Sequence, residues 1–159
     1  MDSIIFYSQL ILSLVVFSLL AEWFAVPRLA ALPRSQALLL LLIPQAFRHF
    51  GLYALTQAAF EPNLPYSWAL PTAYGDMATQ ISTVIAMLAL RRDGRAGIVW
   101  AWICTIVGTA DFLYGAYLTT ALHIPVHLLR PVWFIPMFFF PLTVLGHWYA
   151  FKFLIRGSR

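Results

Sequence analysis

Charge is what this sequence has least of. Asp, Glu, Lys and Arg together make up 10% of it, against roughly a quarter in a water-soluble domain. Ten basic and six acidic side chains cannot clothe a globule of 159 residues, so a water-soluble fold is excluded. Cysteine is nearly absent too: with Cys104 alone, neither an internal disulfide nor a cysteine-based metal cluster can form. There is no internal repeat of the kind that marks inverted-repeat transporters. Nor is there a Ser-His-Asp order, a zinc-protease helix, a phosphate loop or a flavin signature.

What fills the chain instead is apolar sequence, 62% of all residues and 16% aromatic, with a mean hydropathy of +0.80. It falls into five runs, about residues 3–26, 36–59, 73–90, 97–119 and 132–154. Each has roughly the 20 residues that cross about 30 Å of hydrocarbon at 1.5 Å per residue. Unpaired amides are too costly in lipid, so each run is expected as an α-helix with its hydrogen bonds closed internally. The fold class is therefore all-α: one domain over residues 1–159, a polytopic bundle of five transmembrane helices. Breakers separate the runs, with Pro27 and Pro33 in the first connector, Pro62, Pro65 and Pro71 in the second, Gly94 in the third, and Pro125 and Pro131 in the fourth.

Basic residues give a direction. Arg28, Arg34, Arg91, Arg92, Arg95, Lys152, Arg156 and Arg159 gather at one end, Arg130 lies alone at the other, and Arg48 lies within a run. The positive-inside rule then predicts a cytoplasmic C-terminus and an outside N-terminus, with Asp2 and Glu61 outside, in a bacterial-type plasma membrane. The basic excess marks this rim, so no nucleic-acid partner is expected. The expected partners are the lipid bilayer, a small or apolar ligand, and a second copy of the chain or a larger membrane complex. The first run starts with Asp2 and no basic residue, and it exceeds a signal-peptide core, so it is expected to be retained. Trp23, Trp100, Trp102 and Trp148 fall near the cytoplasmic boundary, and Trp68 and Trp133 near the outer one, as an aromatic belt does.

Ionisable groups at membrane depth need a reason, because each costs several kcal/mol unless paired or wet. Counting rise from the cytoplasmic end puts Arg48, His49 and Asp111 about 20 Å up their runs and Asp76 at a similar height. Four-residue spacing sets Gln45, His49, Tyr53 and Gln57 on one face of the second helix, with Arg48 beside it. Asp76, Gln80 and Thr83 share a face of the third helix, and Cys104, Gly108, Asp111 and Gly115 share a small-residue face of the fourth. Pro44 is expected to kink the second helix and free the carbonyl of Leu40. One arginine against two aspartates balances when His49 is protonated, which makes His49 the candidate proton-exchange group. The candidate ligand-binding set is Arg48, His49, Asp76, Asp111, Gln45, Tyr53 and Gln80, with no catalytic residue assigned. The competing reading makes Arg48 and Asp111 a fixed pair that sets helix register, and Asp76 a helix cap.

Glu22 and His147 form a secondary candidate pair nearer the cytoplasmic side, meeting if the first and last helices are neighbours; otherwise Glu22 reaches the headgroups. Haem ligated by His49 and His147 is not expected, since their depths differ by about 10 Å. His123 and His127 flank Pro125 and have no carboxylate nearby in sequence, so no metal site and no cofactor are expected. Aromatics cover the stretch from Trp133 to Pro141, and most are expected to face lipid; the alternative is a groove that stacks on a flat or isoprenoid ligand. The connector from Glu61 to Pro71 is apolar enough to lie in the interface as a lid.

In length, tryptophan content and helix count the chain resembles the tryptophan-rich sensory, translocator-type membrane proteins that bind porphyrins and sterols. The likeness is one of format. The Trp- and Pro-rich motifs of that group do not stand at matching positions here, the stretches RHFGLY, AYGD and GTAD match no motif of membrane-embedded sterol isomerases or small multidrug transporters, and no residue role follows from the likeness. The leading expectation is a protein that binds or transports a small ligand or a proton in an outer-half cavity. There Arg48 contacts an anionic group, Asp111 orients it and His49 exchanges the proton. The alternatives are a membrane-embedded enzyme working on a lipid or isoprenoid by acid–base chemistry, and an accessory subunit of a larger membrane complex.

Overall fold

The structure is a computed structural model that describes residues 1–56, 64–92 and 94–156. Gln57, Glu61, Pro62 and Arg159, together with the first part of the expected lid, lie outside the described residues. Those described are helical almost throughout, with no strand among them. Five helices result: α1 (Asp2–Ala30), α2 (Arg34–Leu55), α3 (Tyr66–Arg92), α4 (Gly94–Ala121) and α5 (Ile135–Ile155). Helices α1, α2, α4 and α5 are each long and apolar enough to cross a membrane. Helix α3 has 27 residues but carries Ser67, Thr72, Asp76, Thr79, Gln80, Ser82 and Thr83, and it packs chiefly against α4 and α2.

The chain alternates direction along the bundle. At one end, called upper here, Phe6 of α1 meets Trp133 just before α5, ring edge to face at 5.1 Å. At the other, lower end, the Arg34 Nε donates to the Phe153 carbonyl at 3.0 Å and its second nitrogen to that of Leu154. A guanidinium there satisfies carbonyls that the end of α5 leaves open and complements the negative pole of its dipole. A 3-10 segment, Val126–Val132, closes the upper end between α4 and α5.

Prolines shape the helices in two ways that apolar run lengths do not reveal. In α2 the expected kink is replaced by a change of helix type: α-helical over Arg34–Leu42, then 3-10 over Pro44–Leu55. Pro44 has no N–H to give the Leu40 carbonyl, which accepts from Ile43 instead at 3.2 Å, and the Ile43 carbonyl in turn accepts from Ala46 at 3.1 Å. The three-residue spacing begun at the proline continues to Leu55. In α1 and α5 the response is a wider turn. Pi-helical stretches span Ala21–Ala25 and Ile135–Phe139, where Val26 N–H bonds to Ala21 and Phe140 N–H to Ile135, just ahead of Pro27 and Pro141. One extra residue in the turn relieves the clash of a proline ring with the carbonyl four residues back.

Pro71 does not end a connector, as the sequence reading has it. It lies inside α3, which begins at Tyr66 with the Pro65 carbonyl accepting from Trp68 and Ala69. Pro71 is the sixth residue of this helix and denies one N–H to the Ser67 carbonyl, a local loss that the helix runs through, so residues 66–71 belong to α3 and not to a connector.

Candidate functional site

The 3-10 segment decides which side chains of α2 face the bundle. With three residues per turn, positions three apart eclipse one another, so Gln45, Arg48, Gly51 and Ala54 form the inward ridge, and Gln45, Arg48 and Ala54 are buried. The four-residue face expected for Gln45, His49 and Tyr53 does not form. His49 is exposed, beside the rings of Phe47 and Phe50, and Tyr53 is 51% exposed.

Arg48 meets both aspartates. Its Nε donates to Asp76 Oδ1 at 2.5 Å and its NH2 to Asp111 Oδ2. The guanidinium carbon lies 4.1 Å from the centre of the Phe112 ring, a cation–π contact on its remaining face. NH1 is buried and, among the described residues, has no hydrogen-bond partner. Two glycines make this approach possible. A β-carbon at Gly51 would run into the Asp76 carboxylate, and one at Gly75 into that of Asp111. Both carboxylates are thus seated against bare backbone, Asp76 on α2 and Asp111 on α3.

Above the trio opens a cavity of ≈ 460 Å³, within the range of small-molecule sites. Arg48, Asp76 and Asp111 form its floor. Its walls come from all five helices and the closing 3-10 segment: Phe6 and Tyr7 of α1, Phe50 and Ala54 of α2, Trp68 and Thr72 of α3, Phe112 and Gly115 of α4, Leu129 and Val132 of the closure, and Pro136 and Phe139 of α5. Trp68 is fixed as a wall by its Nε1, which donates to Thr119 Oγ1 at 2.9 Å. Of the aromatic stretch at the start of α5, Phe134 and Phe138 are each 60% exposed, while Phe139 and Phe140 turn to the cavity.

Beneath the trio lies a second polar layer. Gln45 Nε2 donates to the Thr143 carbonyl at 2.7 Å, one turn from His147 on α5. His147 is 3% exposed, its ring 5.7 Å from that of Phe112 and pressed against Gly108. Both its nitrogens, and the Gln45 and Gln80 side-chain oxygens, are buried without a hydrogen-bond partner among the described residues. Neither Gln45 nor Gln80 lines the cavity. The secondary pair is not brought together either: α1 and α5 are neighbours, but Glu22 accepts from the Tyr149 hydroxyl at 2.7 Å, and His147 is directed to Phe112. His123 and His127 are both exposed, and no group of three metal-ligating side chains occurs among the described residues.

Sequence reasoning passed over Gly51, Gly75, Phe112 and the α1 rings. The first three left a signal: Gly51 stands three residues after Arg48, Gly75 directly before Asp76, and Phe112 directly after Asp111.

The chain belongs to the family described as a domain of unknown function, DUF8737, whose pattern matches residues 5–155. No curated protein and no solved structure matches it.

Proposed function

We propose that this is a five-crossing membrane protein, its N-terminus outside and its C-terminus cytoplasmic in a bacterial-type plasma membrane, that binds a small amphiphilic molecule in the upper cavity. The direction rests on the basic side chains at the lower end. The observation that carries the binding reading is a buried arginine–aspartate trio placed as the floor of an apolar, aromatic-walled cavity. An ion pair that only set helix register needs no such space above it. Here the walls receive an apolar body and the floor orients a polar head, the usual division of labour in a small-molecule site. In this reading His49, exposed on the far side of α2, takes no part.

The test uses purified full-length protein in lipid nanodiscs with a photoreactive decanol as the probe. Labelled peptides should come from the cavity walls, around Phe50, Trp68 and Phe139. Gly115 lines the cavity, and a β-carbon there meets nothing within 4 Å, so Gly115→Phe fills the space from a position that does not touch the trio. Labelling of the walls should disappear in that variant. Labels confined to lipid-facing residues, unchanged by Gly115→Phe, would overturn the proposal.

A further inference from the structure

We infer that the cavity selects a cation: its ligand is an amphiphilic amine, an ammonium head carried on an apolar body. This rests on the binding reading above and adds to it the charge of the head group, opposite to the anionic group expected from the sequence.

The floor presents carboxylate. Arg48 already has Nε engaged by Asp76, NH2 by Asp111 and a face covered by Phe112, and its NH1 is buried. Its side chain is 3% exposed, against 16% for Asp76 and 10% for Asp111. One guanidinium faces two carboxyl groups, so the floor holds one acidic group more than it holds basic ones. Among the side chains the structure describes, which leave out that of Arg130, no other Arg and no Lys lines the cavity. An anionic head at the floor would lie against two acidic groups in a low dielectric, whereas an ammonium there pairs with the one in excess. The walls agree with the floor. Rings of Phe6, Tyr7, Phe50, Trp68 and Phe139 border the space, and the negative faces of such rings are what hold quaternary ammonium groups in aromatic cages.

An ammonium head has two sources, a phospholipid headgroup or a free amphiphilic amine, and the experiment separates them. Decyltrimethylammonium, decanol and decyl sulfate share one chain and differ in head charge. Each is made to compete with the photoreactive decanol in phosphatidylglycerol nanodiscs, at equal concentration in the bilayer. The ammonium should displace the label at about tenfold lower concentration than decanol, and the sulfate least well. Asp111→Asn should lose most of the ammonium's advantage over decanol. Equal displacement by ammonium and alcohol, or stronger displacement by sulfate, would overturn the cationic assignment and leave the binding reading intact. Absence of wall labelling with wild-type protein would remove the binding reading and this inference together. In phosphatidylethanolamine discs, loss of label assigns the lipid head as the ligand, and undiminished label assigns a free amine.

Discussion

Below the ion trio, Leu38, Leu42, Ala86, Ala101, Cys104 and Ala150 pack with almost no exposure, joined by Leu29, Leu90 and Tyr149, and Arg34 ties the end of α5 to the start of α2. Above it, the buried apolar cluster shrinks to Ala54, Ala69 and Val132, and five helices stand apart around a cavity. The difference lies in what sits at the contact. In lipid, helices associate through close packing and polar contacts and gain nothing from leaving water. Alanine, glycine and cysteine let α3, α4 and α5 approach below the trio; rings from several helices hold them apart above it. One half supplies cohesion, and the other leaves a cavity.

The contrast can be broken first at its boundary. Arg48→Ala leaves two carboxylates facing each other without their cation and should cost about 3–5 kcal/mol, read from reversible unfolding in mixed micelles. A cost below about 1 kcal/mol would mean that the trio does not hold α2, α3 and α4 together. Next come matched truncations of the two halves. Leu42→Ala in the lower core should cost about 2–3 kcal/mol by leaving an unfilled void, whereas Ile135→Ala on the cavity wall should cost about 1 kcal/mol or less, since it enlarges a space already there. Equal costs would erase the distinction. A smaller effect, about 0.6 kcal/mol, is expected for Trp68→Phe, which removes the bond to Thr119 and keeps the ring in the wall. The smallest effect on stability belongs to Gly115→Phe, within about 0.5 kcal/mol of wild type. A large loss there would show that the upper space does not admit an extra ring.

Much of this was legible in the sequence, because run length and rise per residue are fixed quantities in a helix. They locate the five helices and set Arg48, Asp76 and Asp111 at one height, where the structure joins them. Helix type is less accessible. Pro44 signals a disturbance, but only the hydrogen bonds show that it starts a three-residue register, and that register exchanges His49 for Gly51 on the inner ridge. Pro71 misleads in the opposite direction, since α3 runs through it without a break. Glu22 and His147 are near enough in height to pair, yet Tyr149, two residues on and across the helix from His147, is the one that reaches Glu22. Height alone says nothing about azimuth. The rings of α1 in the cavity could not be found at all from the pattern, because α1 is apolar on every side.

The 3-10 segment of α2 also alters a length. At about 2.0 Å per residue its 12 residues extend about 24 Å, where an α-helix would extend about 18 Å. Helix α2, with 22 residues, thereby reaches nearly as far as the 27 residues of α3. The drawn-out screw lets α2 keep pace with a neighbour five residues longer, and it delivers Arg48 to the carboxylates without any added turn.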